Sequence, residues 1–169
     1  MTQTAVRTKA EAVEAVQARR FDIYGGVHKG LRSFMADTLV AVGRMDTNDP
    51  ADLAEALAQV RGLLEFCREH LHAENQFLHP AMEARRPGSA CDTAKDHDGH
   101  QDAFEQLETD VLAVERAKNG AGADVALRLY RRLALFVAEN LEHMHVEETA
   151  NNAVLWATHN DEELVEIHH

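Results

Sequence analysis

A phrase of seven residues occurs twice with little change in this chain, as EHLHAEN at 69–75 and EHMHVEE at 142–148, 73 positions apart. In each, a histidine is followed four residues later by a glutamate. Neutral imidazole and carboxylate are both metal ligands, and either can carry a proton. On a helix, at about 100° per residue, His70 and Glu74 stand about 40° apart, as do His143 and Glu147, so each pair shares one face. His72 and His145 are rotated about 200° from the first histidine of their phrase and point outward. His79, about 180° from His70, is expected on the surface as well.

Eleven histidines are many for 169 residues. Beyond the two phrases, His28, His97 and His100 fall on stripes of apolar residues at steps of three and four. Seven ionisable groups are therefore expected to face a core: His28, His70, Glu74, His97, His100, His143 and Glu147. Burying that many without partners costs several kcal/mol each. A metal centre removes the cost in one step, because the ligands are deprotonated and the cation supplies their counter-charge. His28 precedes His70 by 42 residues and His100 precedes His143 by 43. The chain thus reads as two related hairpins, each a His helix followed by a HisxxxGlu helix. That symmetry suits two metals bridged by two carboxylates better than one.

The elements that position these residues are marked by turn signals. GRMDTNDP at 43–50, RRPGSA at 85–90 and KNGAGA at 118–123 cut the chain into four long helical segments, with Asp49 as an N-cap and Pro50 at the first helical position. Phe21, Tyr24, His28, Leu31, Met35, Leu39 and Val42 form the first stripe. Leu53, Leu57, Val60, Leu63, Cys67, His70, Glu74, Phe77 and Ala81 form the second, in which Pro80 should kink or end the helix. His97, His100, Phe104, Leu107, Val111 and Val114 form the third, and Leu129, Leu133, Phe136, Asn140, His143 and Glu147 the fourth. The expected fold is all-α, an up-down-up-down four-helix bundle over 19–150. A helical arm over 1–18 precedes it, and a tail over 151–169 carries a short helix capped at Thr158 or Asn160.

Composition excludes several classes of function. A net charge of −12 disfavours nucleic acid and anionic membrane surfaces. Cys67 and Cys91 make neither a disulfide framework nor a zinc ribbon, and Cys67 is expected to be a buried, inert thiol. No apolar run approaches the roughly 20 residues of a membrane span, and MTQTAVRTKAEAVEA has no secretory apolar core, so a cytoplasmic location is expected. No nucleophile–base pair, phosphate loop or nucleotide motif is present, and no catalytic residue is assigned.

The sequence resembles the hemerythrin-like (HHE cation-binding) family from about Phe21 to Trp156, most strongly in HLHAENQFLHPAM at 70–82. The resemblance implies a non-haem di-iron centre ligated by His28, His70, His143 and at least one of His97 and His100, with Glu74 and Glu147 as bridging carboxylates. The third segment carries HisxxHis, at His97 and His100, where oxygen-carrying hemerythrins have HisxxxHis. Those carriers also use a carboxylate five residues after the last histidine, where this chain has Glu148. Glu148 lies about 140° from His143, which favours Glu147. A ferritin-like ExxH reading of Glu69–His72 and Glu142–His145 is the rival, but both pairs point away from the seam.

A pair held this way leaves a coordination position open. Leu31, Met35, Phe66, Phe77, Phe104, Leu107 and Phe136 are expected to keep water from it, and Tyr24 could hydrogen-bond a bound ligand. The implied function is binding or sensing of dioxygen or nitric oxide. The alternatives are a redox or repair enzyme acting on peroxide or nitric oxide or donating iron, and a storage or structural metalloprotein.

Overall fold

The computed structural model describes residues 20–117 and 122–168, and every regular element among them is helical. Helix α1 spans Gly25–Arg44 and α2 Pro50–Ala73. After α2 the chain passes through one widened π-turn, Glu74–Leu78, and continues as α3, His79–Arg85. Helix α4 spans Cys91–Arg116 and α5 Gly122–Val146. A second π-turn, Glu147–Asn151, leads into α6, Asn152–Thr158, and α7 follows at Asp161–His168. The expected arm over 1–18 lies outside the described residues.

The helix boundaries follow local chemistry. Asp49 caps α2, its carboxylate accepting from the Ala51 and Asp52 amides at 2.9 and 3.4 Å, with Pro50 behind it where no amide donor is needed. Gly88, at φ 84°, makes the reversal between α3 and α4 in a conformation that other residues adopt at a cost. Helix α7 opens on a reciprocal capping box: Asn160 accepts from the Glu163 amide at 2.9 Å, and Glu163 accepts from the Asn160 amide at 2.8 Å. Arg20 ties the start of the described chain to its end, donating to Asp161 and to the carbonyls of Trp156 and His159.

Helix α1 packs against α2 and α5, and α4 packs against α5 and α2, which closes the four-helix ring. Its apolar interior is divided. One cluster, including Leu31, Met35, Leu63, Phe104, Leu107, Leu133 and Phe136, fills the body of the bundle. A second, of Ile23, Tyr24, Leu78, Met82, Ala90, Leu155 and Leu164, closes the end where α3, α6 and α7 lie. His28 of α1, His70 of α2, His97 of α4 and His143 of α5, with Glu74 and Glu147 at the start of the two π-turns, fall between these clusters. The polar groups thus form a layer with apolar packing above and below it, and that packing excludes water.

The two π-turns account for the departures from helical phase. Pro80 neither ends the helix nor stops its course; the wide turn just before it absorbs the missing amide donor and the crowding against the preceding turn. One extra residue in that turn retards everything downstream by about 100°. His79, expected on the surface, is 6 % exposed, and Phe77, expected in the seam, is 50 % exposed.

Candidate metal centre

Six residues converge in the layer between the apolar clusters. His28, His70, Glu74 and Glu147 can place one ligand atom each within 4.8 Å of one another, and so can Glu74, His97, His143 and Glu147. The two groups share both glutamates. Each glutamate divides its oxygens between them. Glu74 turns Oε1 to His70 Nε2 at 3.2 Å and to His28 Nε2 at 3.8 Å, and Oε2 to His97 Nε2 at 3.5 Å. Glu147 turns Oε2 to His28 Nε2 at 3.4 Å, and Oε1 to His143 Nε2 at 3.3 Å and His97 Nε2 at 3.9 Å.

The histidines are oriented from behind. His28 Nδ1 lies 3.1 Å from Glu148 Oε1, and Arg32 holds that carboxylate with both of its terminal nitrogens. His97 Nδ1 lies 2.8 Å from Asn75 Oδ1, and His143 Nδ1 3.4 Å from Asp96 Oδ2. Carboxylate and amide oxygens only accept, so the Nδ1 atoms carry the protons and the Nε2 lone pairs face inward. His28 Nε2 is 3.1 Å from His70 Nε2, and His97 Nε2 is 3.1 Å from His143 Nε2. For His97 and His143, two inward lone pairs meet at that distance, an arrangement a cation between them would relieve. All four oxygens of Glu74 and Glu147 are buried without a hydrogen-bond partner. Uncompensated carboxylates facing imidazole lone pairs fit metal cations, and the nitrogen–oxygen donor set with no thiolate suits iron among others.

Burial dominates the electrostatics. It pushes His70, His79 and His100 down to about 4 and lowers His28, so these rings are neutral at pH 7. Burial and the charge of Glu147 raise Glu74. Burial acts upward on Glu147 too; protonated rings of His143 and His97 beside it would hold its carboxyl well below the ordinary range, a role a cation takes over when these rings present lone pairs. Burial and the two glutamates raise Tyr24, which keeps its hydroxyl proton. The Cys67 thiol is pushed up to about 12 by burial, the inert state expected of it.

Of the seven residues expected in the seam, His100 lies outside both groups. Its ring meets His143 edge-on at 4.8 Å between centroids and is 6.3 Å from that of His97. Glu148 is directed to the back of His28 rather than to the centre. His72 and His145 are exposed, as are Glu69 and Glu142, so the ExxH pairs take no part.

A second polar layer was not foreseen. Tyr24, His79, Thr93 and Asn151 are all buried one turn from a glutamate or histidine of the centre, toward the α7 end of the bundle. Asn151 Nδ2 donates to Thr93 Oγ1 at 3.3 Å and to Tyr24 Oη at 3.5 Å, and Thr93 Oγ1 is 3.4 Å from His79 Nε2. Tyr24 stacks on His28 and His79 stacks on His97, so this chain supports one imidazole of each group. Only a sequence signal for the π-turn, such as the proline at 80, could have pointed to His79.

No curated protein matches the sequence. The match to a family model is extensive: it runs over residues 21–163, from just before α1 into α7, and takes in all six converging residues. The chain belongs to the family of the hemerythrin HHE cation binding domain.

Proposed function

We propose that the protein holds two irons and binds dioxygen or nitric oxide at the pair. His28 and His70 would hold one iron and His97 and His143 the other, with Glu74 and Glu147 available to both. The observation that carries this reading is the division of each glutamate, one oxygen toward each histidine pair. An iron pair held there would supply redox-active metal to which dioxygen or nitric oxide can bind. The chain supplies the rest. Glu148, Asn75 and Asp96 fix the imidazole tautomers, and the apolar clusters keep water away.

A cavity of about 300 Å³ supports a small apolar ligand. It is walled by Ile23, Val27, Phe66, Phe77, Leu78 and Ile167 and reaches Tyr24, His70 and Glu74. Tyr24, kept protonated, can donate a hydrogen bond there. No described helix is long and apolar enough to cross a membrane. Action in the cytoplasm is part of the proposal, and the two free cysteines suit a reducing compartment.

The test is spectroscopic. The iron-loaded protein is reduced without air, exposed to dioxygen or nitric oxide, and then evacuated, with azide added to the oxidised form. A visible spectrum that appears and reverts supports binding or sensing. An irreversible change to the oxidised spectrum favours a redox enzyme, and no response to any small ligand leaves a structural or storage site.

A further inference from the structure

His100 is buried, yet nothing in the centre uses it. It is 5 % exposed, and its Nδ1 has no hydrogen-bond partner. Its ring lines a cleft of about 430 Å³ between α4 and α5, together with Asp96, Glu139, Glu142, Lys95 and His143. The three carboxylates are exposed, and one lysine opposes them. His143 belongs to the centre, and Asp96 Oδ2 accepts from its Nδ1 at 3.4 Å, so the rim of the cleft touches a residue of the second group directly.

Apart from the cleft beside His100, the centre offers a hydrated ion little access, because the cavity that reaches His70 and Glu74 is walled mainly by apolar side chains. Glu74 and Glu147 are 2 % and 0 % exposed and lie between two apolar clusters. A hydrated divalent cation cannot cross such packing without groups that replace its waters one at a time. An idle buried imidazole, with open carboxylates on one side and a ring of the centre on the other, is placed to do that.

We propose that this cleft is the port through which divalent cations enter, with Asp96, Glu139 and Glu142 collecting the hydrated ion. His100 then replaces one of its waters as the ion passes to the position beside His143. The proposal rests on the reading of the six converging residues as a metal site. It assigns His100 to transit and not to residence. A cleft of net negative charge concentrates cations and accelerates their arrival, and the gain fades as salt rises.

The test is stopped-flow loading of the metal-free full chain with cobalt(II), comparing the wild type with the double variant Glu139→Gln/Glu142→Gln and with His100→Phe. Loading is expected to slow on the order of tenfold in each variant, with the final cobalt content equal to that of the wild type. The salt dependence of the rate is expected to flatten in the glutamine variant. Loading of both variants at the wild-type rate overturns the proposal. So does a His100→Phe protein that ends one cobalt short, since His100 is then a resident ligand. A wild-type chain that takes up no cobalt instead refutes the metal reading beneath it.

Discussion

Glu148 stands behind His28, its Oε1 3.1 Å from the imidazole Nδ1, while its neighbour Glu147 faces the same ring's Nε2 from the inside at 3.4 Å. Two adjacent glutamates thus approach one histidine from opposite sides. The outer one, held by Arg32, fixes the tautomer. Glu148→Gln is expected to weaken metal binding by the His28–His70 group by about 10–100-fold, the usual effect of removing the partner behind a ligating histidine. The His97–His143 group should be little affected. Competitive chelator titration resolving two affinities checks this, and a variant indistinguishable from the wild type contradicts it.

His72 and His145 provide the control for helical phase. Both are exposed although each sits between a histidine and a glutamate of the centre. His72→Gln and His145→Gln should leave metal content unchanged and shift stability by no more than about 0.5 kcal/mol. Elemental analysis with chemical denaturation decides it, and loss of metal from either variant would revive the ExxH pairs.

Much of this centre was legible because the 3.6-residue period carries through α1, α2, α4 and α5 up to the first residue of each π-turn. His28, His97, His143 and Glu147 could be placed by counting. The count breaks where the backbone departs from that period. Past Glu74 the π-turn adds a residue, and His79 and Phe77 exchange the environments that a regular helix would have given them. Pro80 is a local cause for the wide turn, but a proline inside a helical pattern reads as a kink or an end, and nothing in its neighbours' propensities announces an inserted residue. The setting of His100 was hidden for another reason. Phase places it correctly in the buried seam, but only the packing of α4 on α5 decides whether a seam residue reaches the centre or lines a cleft beside it.

His79 links the polar layer to pH. Burial lowers it from the ordinary 6.5 to about 4, so the folded state resists a proton that the unfolded chain accepts. Its contribution to stability is complete above pH 6.5 and is lost as the pH falls toward 4. In the metal-free protein, the decline of unfolding free energy across that window should be shallower in His79→Gln than in the wild type. Equal slopes would show that His79 titrates normally in the folded chain.

Asn151 joins the two sides of that layer through Thr93 and Tyr24. Asn151→Leu leaves the partners it bonds inside the bundle with fewer bonds and should destabilise the fold by about 1–3 kcal/mol. Urea denaturation measures the difference. A variant as stable as the wild type would mean that the layer contributes nothing net.

The central claim is that two metals share Glu74 and Glu147, and an anaerobic titration of the metal-free chain with iron(II) tests it most directly. The two ligand groups predict saturation at two equivalents per chain, falling to about one in His70→Ala and about one in His143→Ala. Saturation of the wild type at a single equivalent, or full binding by the His70→Ala/His143→Ala double variant, would contradict it.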